Sequence, residues 1–223
     1  MKIVAILGSP HGTKGNTALL LREVVRGAER GGAAVATLSL SDRKVGPCLA
    51  CDACHRTGTC SQQDAYPDFK HALEGADGVI LATPNYLFSA SAQTKALMDR
   101  CCGLLHTQRL RDKYAAAVVS SGGEGSPEVE QYLLRFLRAL GCWTVGSVGA
   151  SGAQLADASA RAPVFEAAGG LGRRLADSIQ KKETFPEQEA ERTAFRERMK
   201  QLVAFRKDDW RFEAEYWKTH GGP

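Results

Sequence analysis

The strongest constraint on the fold is a glycine- and hydroxyl-rich loop that separates an apolar run from an amphipathic run. The apolar run covers residues 2–7, the loop covers residues 8–17, and the amphipathic run continues to residue 30. A buried strand that enters a helix through such a loop leaves backbone N–H groups unpaired, and the helix dipole favours an anion there. The loop therefore predicts a phosphate site. Its expected contacts are Ser9, His11, Thr13, Gly15, Asn16 and Thr17.

The loop differs from the two commonest nucleotide-binding loops. Its glycines do not have the G-x-G-x-x-G spacing, and no Gly-Lys-Ser/Thr follows. A loop lined by hydroxyls and amides, with no obligatory lysine, suits the terminal phosphate of a mononucleotide. Ser9-Pro10 followed by Gly15-Asn16-Thr17 resembles the FMN-phosphate loop of the flavodoxin-like NAD(P)H-dependent FMN reductases. The alternative is an ordinary strand–turn–helix joint of an α/β domain.

Composition limits the class of protein. The chain has 223 residues, of which 43% are hydrophobic, enough for one α/β domain with a sizeable core. The net charge of +4 and the dispersed basic residues do not favour nucleic-acid binding. The first apolar run is too short for a signal peptide or a membrane span, so a cytoplasmic protein without a membrane partner is expected. Seven cysteines in that reducing compartment point to metal, redox chemistry or burial.

Apolar runs that alternate with helical patterns predict a five-stranded parallel sheet with helices on both faces. The predicted strands cover residues 2–7, 34–40, 78–83, 114–120 and 142–148. They fit the doubly wound, flavodoxin-like order 2-1-3-4-5, in which ligands lie beyond the carboxyl ends of the strands. The predicted FMN domain is 1–182, with a cysteine-rich loop insertion at 41–65 and a helical extension at 183–223. The loops after the first four strands then share one edge of the sheet.

Two of those loops suit a flat tricyclic ring, which needs an apolar slot and backbone groups at its polar edge. Residues 76–86 and 91–100 resemble the ring-binding segment and following helix of the same reductases. The resemblance implies FMN as cofactor and NAD(P)H as a donor. The alternative is that Tyr86 and Phe88 only anchor their loop. The expected ring contacts are Pro84, Asn85, Tyr86, Leu87, Phe88, Ser89, Ser121, Gly122 and Gly123.

A compact cysteine motif lies in the loop after the second strand. Cys48, Cys51, Cys54 and Cys60 have the spacing C-x2-C-x2-C-x5-C. Compact cysteine runs hold iron–sulfur clusters, whereas zinc more often uses two separated pairs. The motif resembles that of the iron–sulfur flavoproteins, which implies a [4Fe–4S] cluster, and the resemblance covers roughly residues 1–148. Zinc and free or redox-active thiols are the alternatives. The remaining cysteines, Cys101, Cys102 and Cys142, are interpreted as structural, His55 as a bystander, and His71, His106 and His220 as incidental.

The extension has a different composition from the domain. A charged helix is predicted at 186–206, and Trp210, Phe212, Tyr216 and Trp217 follow within eight residues. Such an aromatic segment is unlikely to remain in water, so it covers its own domain or reaches a partner subunit. We expect the second arrangement, in a homodimer or larger homo-oligomer.

These features predict an FMN-binding oxidoreductase that moves electrons between NAD(P)H or a ferredoxin-like donor and an acceptor, with a [4Fe–4S] cluster near the flavin. Hydride transfer to a flavin needs no side-chain acid or base, so no catalytic residue is assigned. One alternative is an NAD(P)H-dependent FMN or quinone reductase without a cluster. Another is a non-enzymatic electron carrier or redox sensor whose cysteine loop holds zinc or free thiols.

Overall fold

A parallel sheet forms the centre of the protein. The computed structural model describes residues 1–123 and 126–220. Glu124 and Gly125, in the loop after the fourth predicted strand, lie outside the described residues, as do residues 221–223. The described strands are β1 (Lys2–Leu7), β2 (Ala34–Ser39), β3 (Gly78–Tyr86), β4 (Ser89–Ala90), β5 (Tyr114–Ser121) and β6 (Trp143–Ser151). The sheet order is β2-β1-β3-β5-β6, and β4 pairs only with β3. The predicted doubly wound order is therefore confirmed, with one short hairpin strand added.

Helices cover both faces of the sheet. The described helices are α1 (Asn16–Arg30), α2 (Ala53–Thr57), α3 (Tyr66–Gly75), α4 (Ala92–Arg100), α5 (Cys102–His106), α6 (Ser126–Ala139), α7 (Gly152–Ala156), α8 (Ala158–Lys181), α9 (Pro186–Phe205) and α10 (Arg211–His220). Alternate residues of β1 enter two separate cores, because successive side chains of a strand point to opposite faces. Ile3 and Ala5 pack with α1 and α8, whereas Val4 and Ile6 pack with α3, α4 and α6. No described helix has the length and apolarity needed to span a bilayer.

The segment after β3 differs from the prediction. The third strand is predicted to end at residue 83, but β3 continues to Tyr86 and returns through β4. Only Leu87 and Phe88 form the turn, and both lie in the left-handed region, with φ of 49° and 63°. Positive φ at both central residues is the geometry of the tight turns that match the twist of a hairpin. The next helix, α4, begins at Ala92, because the Ser91 hydroxyl accepts from the Thr94 N–H and caps it.

The C-terminal extension packs against its own chain. The Gln188 side chain accepts from the backbone N–H of Thr144 at 3.0 Å and donates to its carbonyl at 2.9 Å. The Arg192 guanidinium lies 3.4 Å from the centre of the Trp143 ring. Farther on, the Trp217 indole donates to the His106 carbonyl at 3.0 Å. Helices α9 and α10 therefore cover the start of β6 and the region of α5. A role in dimerisation stays a prediction.

Candidate functional site

Three of the predicted loops line one open cavity of about 370 Å³ at the carboxyl ends of the strands. The first loop contributes Ser9, His11, Gly15, Asn16 and Thr17; the second contributes Pro84, Asn85 and Tyr86; the third contributes Ser121 and Gly122. Three further lining residues, Lys14, Ser120 and Gly152, were not predicted. Three of the four loops expected at this edge of the sheet therefore line one cavity, and the cysteine loop contributes no residue to its lining.

Other predicted contacts lie outside the lining of this cavity. These are Thr13, Leu87, Phe88, Ser89 and Gly123. Leu87 and Phe88 form the exposed tip of the hairpin, with 95% and 78% of their surface open to solvent. Within this chain the two side chains therefore lie outside the lining of the cavity. Tyr86 is thus the aromatic side chain of this segment that faces the cavity.

The first loop is held in place at Gly8. Its N–H donates to the Ala82 carbonyl at 2.7 Å, and its carbonyl accepts from the Ser91 hydroxyl at 2.5 Å. A Cβ atom at this position would lie 1.7 Å from the Thr94 hydroxyl oxygen, so only glycine fits. The loop is therefore attached to β3 and to the start of α4, which carry the second loop.

Thr17 connects the first loop to the third. Its hydroxyl shares a 2.7 Å hydrogen bond with the hydroxyl of Ser120, and both residues are buried. This bond couples the start of α1 to the end of β5. The Ser9 hydroxyl accepts from the His11 N–H at 3.2 Å, which shapes the loop before the helix. The predicted phosphate contacts Ser9 and Thr17 thus also organise the protein.

The start of α1 suits an anion. The residue before the helix is Gly15, which supplies no side-chain cap for the first N–H groups. A helix of 15 residues presents those N–H groups and the positive end of its dipole to the cavity. Lys14 adds a cation beside them. Opposite, a Cβ atom at Gly122 would meet no atom within 4 Å, so a planar group has room against that backbone. These donors and this space fit the phosphate and ring of FMN.

The four cysteines of the predicted cluster motif have free thiols and do not converge in the described residues. Cys48 and Cys51 are exposed, whereas Cys54 and Cys60 are half-buried. Ala50 and Asp52, on either side of Cys51, both have positive φ, so the chain reverses sharply between the thiols. The Ala50 N–H donates to the Cys48 sulfur at 3.4 Å. A hydrogen bond from Ser61 lowers the pKa of the Cys51 thiol.

An ion pair fastens the base of the cysteine loop. The Arg100 guanidinium donates to both carboxylate oxygens of Asp64, at 2.9 and 3.1 Å, and also to the Gly46 carbonyl at 3.1 Å. The Arg100 side chain is 1% exposed, and that of Asp64 is 20% exposed. Burial alone would raise the pKa of Asp64, but hydrogen bonds from Arg100, Gly46 and Tyr66 outweigh it and lower that pKa.

A second cluster lies beneath the same loop, and the sequence interpretation missed it. His55, Cys102 and His106 place one donor atom each within 4.8 Å of one another. Glu213 of α10 joins the two rings, because its carboxylate oxygens lie 2.5 Å from Nδ1 of His55 and 3.1 Å from Nδ1 of His106. The sequence interpretation took Cys102 as structural, His55 as a bystander and His106 as incidental, whereas the structure brings all three together in one cluster. The i,i+4 spacing of Cys102 and His106 was the available signal.

The charges of this cluster are coupled. Burial would lower the pKa of His55, but hydrogen bonds to Cys102, Cys54 and Glu213 outweigh it and raise that pKa to about 12. Burial would also lower the pKa of His106, but contacts with Cys102 and Glu213 outweigh it and raise that pKa to about 9. Burial would raise the pKa of Cys102, but the two imidazoles lower it to about 7. The cluster therefore favours ionised Cys102 and Glu213 side chains beside protonated imidazole rings of His55 and His106.

Comparison with known proteins identifies similar sequences. The profile of a family described as NADPH-dependent FMN reductase matches residues 1–156. An iron-sulfur flavoprotein of Archaeoglobus fulgidus is 37% identical over 147 residues, which are 66% of this chain and 66% of that protein. One of Methanosarcina thermophila is 34% identical over 124 residues, 55% of this chain and 64% of that protein. The chain thus spans slightly less than two thirds of the length of these relatives.

Solved structures share the fold. RosB, with a bound 8-demethyl-8-formylriboflavin-5'-phosphate intermediate, superimposes with a TM-score of 0.66 at 16% identity, over 89% of this chain and 87% of RosB. The apo form of the NADH:FMN oxidoreductase EMOB gives a TM-score of 0.58 at 22% identity, over 84% of this chain and 92% of that chain. An archaeal flavodoxin gives 0.55 at 17% identity, over 81% and 99% of the two chains. The sheet is therefore flavodoxin-like.

Proposed function

This chain belongs to the NADPH-dependent FMN reductase family, and from that premise we propose that it is an FMN-binding oxidoreductase. In this proposal it passes electrons from NAD(P)H or a ferredoxin-like donor to an acceptor. The observation that carries the proposal is the single cavity lined by the first, second and third loops. In this cavity the start of α1 offers N–H groups for an anion. Beside it, Pro84–Tyr86 form one side of a slot, and the backbone of Ser121 and Gly122 forms the other.

Each wall of the cavity has a separate task in the proposal. The phosphate is held by the first N–H groups of α1, with Ser9, Asn16 and Lys14 as side-chain donors. The ring lies between Pro84–Tyr86 and the backbone of Ser121 and Gly122. When bound, FMN supplies the hydride acceptance and the one-electron steps that amino-acid side chains lack. The chain positions the ring, limits access of water and sets the polarity around it.

The cysteine loop is proposed to hold a [4Fe–4S] cluster on Cys48, Cys51, Cys54 and Cys60. Four free thiols in a compact run are the donor set that such clusters use. The similar proteins of Archaeoglobus fulgidus and Methanosarcina thermophila support this assignment, because both are named iron-sulfur flavoproteins. The cluster would supply one-electron transfer beside the flavin. The Ala50 N–H, which already donates to the Cys48 sulfur, is the kind of contact that tunes a cluster potential.

A change at Lys14 tests the phosphate site. We expect Lys14→Gln to weaken FMN binding about tenfold, because one charge-assisted contact is worth about 1.5 kcal/mol. Binding of riboflavin, which lacks the phosphate, should stay within about twofold of the wild type. Quenching of flavin fluorescence on titration of the flavin-free protein measures both affinities.

Lys207→Gln is the matched control, since Lys207 is an exposed lysine far along the chain from the loops of the cavity. It should leave both affinities unchanged. If the flavin-free wild type does not bind saturating FMN, or if Lys14→Gln weakens FMN and riboflavin equally, the assignment of this cavity is wrong.

The cysteine assignment and the activity have independent tests. Protein purified without oxygen should contain about four iron and four acid-labile sulfide atoms per chain. It should also oxidise NADH or NADPH in the presence of an artificial acceptor. Absence of iron and sulfide removes the cluster and leaves a reductase without one. Negligible nicotinamide oxidation, with reduction by ferredoxin retained, indicates an electron carrier.

A further inference from the structure

A buried group of two imidazoles and one thiol lies between the cysteine loop and the C-terminal extension. His55 comes from α2, Cys102 and His106 come from α5, and Glu213 comes from α10. The family profile ends at residue 156, so α10 lies beyond the matched region. From this group we propose a second metal site, in which His55, Cys102 and His106 bind one zinc-type divalent cation. The site uses none of the residues of the flavin cavity, so it does not depend on the proposal that this cavity binds FMN.

The distances within the group are close to those of a tetrahedral site. The Cys102 sulfur lies 3.6 Å from Nε2 of His106. Zinc–sulfur and zinc–nitrogen bonds of about 2.3 and 2.0 Å at a tetrahedral angle place the two ligand atoms about 3.5 Å apart. The third ligand atom belongs to His55, and all three lie within 4.8 Å. A small rotation of side chains would therefore complete the coordination.

The second nitrogen of each ring is already held in the orientation that a metal ligand needs. Glu213 accepts from Nδ1 of both His55 and His106, and it is fully buried. This leaves Nε2 of each ring for a metal ion. That of His106 lies 3.6 Å from the Cys102 sulfur, and that of His55 lies 3.8 Å from a carboxylate oxygen of Asp52. A carboxylate that orients a ligating imidazole in this way is the common outer partner of zinc sites. Glu213 is thus a positioning residue for both ligands.

The charge of the group also matches a divalent cation. With neutral rings, the Cys102 thiolate and the Glu213 carboxylate together carry two negative charges, which a buried site must balance. A divalent cation bound by the three ligand atoms would balance that charge. Nitrogen and thiolate ligands select zinc over magnesium or calcium.

The surroundings keep water away from the group and leave one position for a fourth ligand. The Trp210 ring lies over both imidazoles, with ring centres 4.6 and 4.8 Å from theirs. Cys54 directly precedes His55 and lines one small cavity together with Glu213, so its thiol is the candidate fourth ligand when no cluster holds it. The metal would tie α10 to α2 and α5. Its proposed role is to fasten the extension over the base of the cysteine loop.

The test must separate this site from the cysteine loop. In the full-length chain with Cys48, Cys51, Cys54 and Cys60 all changed to serine, we expect one zinc ion per chain in competition with a chromogenic chelator. Cobalt should bind in its place with a thiolate-to-metal charge-transfer band. The other two cysteines, Cys101 and Cys142, are buried and do not belong to the group of converging ligand atoms. The band therefore reports on Cys102.

Substitutions in this four-serine chain identify the ligands. Cys102→Ser should abolish the band, and His106→Gln should weaken zinc binding by about 100-fold or more. Glu213→Gln should weaken it by about 10- to 100-fold through loss of orientation. The matched controls are Cys101→Ala, beside the ligand, and His71→Gln, on the surface. Both should bind zinc as the parent does.

Two results would overturn the site. One is the absence of stoichiometric zinc in the four-serine chain; the other is unchanged zinc affinity in both Cys102→Ser and His106→Gln. Circular dichroism and FMN affinity, which should stay at the parent value in every variant, show that the chain has folded. Wild-type protein purified without oxygen should contain one zinc in addition to its iron.

Discussion

At the scale of single residues, Gly8 determines whether the first loop reaches the cavity. We expect Gly8→Ala to lower the free energy of unfolding by about 1–3 kcal/mol, because its Cβ would overlap the Thr94 hydroxyl, 1.7 Å away. FMN affinity should fall at least about tenfold, since the loop must move away from Ala82 and Ser91. Urea denaturation and flavin titration measure the two effects.

Two other glycines separate stability from binding. A Cβ atom at Gly122 would enter the cavity and meet no protein atom within 4 Å. Gly122→Ala should therefore keep the wild-type stability and lose FMN affinity. Gly75→Ala, where a Cβ atom also has open space around it but far from the cavity, should change neither. Equal FMN affinity in Gly122→Ala and the wild type would contradict the proposed position of the ring.

Residue types alone predicted part of the cavity. Asn16 and Thr17 follow from the loop pattern, because helix starts favour such side chains. Lys14 was not predicted as a lining residue, because a phosphate loop of this type does not require a lysine. Gly152 was missed because β6 continues three residues beyond its predicted end and carries α7 to the cavity. Such contacts depend on strand length, which local pattern defines poorly.

At the scale of elements, the pair Asp64–Arg100 joins the cysteine loop to α4. We expect Asp64→Asn to destabilise the protein by about 2 kcal/mol, less than the 3–5 kcal/mol of a fully buried pair because Asp64 is 20% exposed. The folded-state pKa of Asp64 is lowered from 3.8, so its contribution is complete above pH 3.8 and is lost as the pH falls below it. The stability difference between wild type and variant should shrink over that acidic range in urea denaturation.

Asp68→Asn supplies the comparison for this element. Asp68 pairs with Arg43 on the surface, where the two side chains are 60% and 50% exposed. Exposed pairs contribute about 0–1 kcal/mol, so this variant should be close to the wild type. If the two substitutions destabilise equally, Asp64 does not anchor the loop.

The β3–β4 hairpin shows where element prediction fails. A Pro-Asn pair favours a turn, and Leu87 and Phe88 are poor candidates for positive φ. The structure nevertheless extends β3 through Pro84, because this residue pairs in register with Ser120 of β5. The neighbouring strand therefore overrides the local preference. Strands β1, β3 and β5 were the most predictable, since each contains a buried apolar run.

At the scale of the whole molecule, the extension stabilises its own domain. We expect removal of residues 186–223 to cost at least about 3 kcal/mol, because Trp143 loses Arg192 and the buried His106 loses its cover. The melting temperature should fall by about 6–12 °C. FMN affinity should change less than about threefold, since the residues that line the cavity precede residue 153. Thermal unfolding and flavin titration test this expectation.

The same truncation tests the predicted role of the extension in assembly. A lighter species in sedimentation would support a contact with a partner subunit. An unchanged sedimentation profile with a lower melting temperature would restrict the extension to its own chain. Unchanged thermal stability would show that α9 and α10 do not hold the domain. The sequence predicted this segment as a covering element from its aromatic residues, but only long-range contacts determine what it covers.

The position of α10 has a consequence for biosynthesis. Arg211 is translated 105 residues after His106, the last residue of α5. At about 5–20 residues per second, the ribosome needs about 5–20 s to add that stretch. Throughout this interval the imidazoles and thiols that α10 later encloses face solvent. A cation that binds to the proposed metal site during translation would then be enclosed when α10 packs over it.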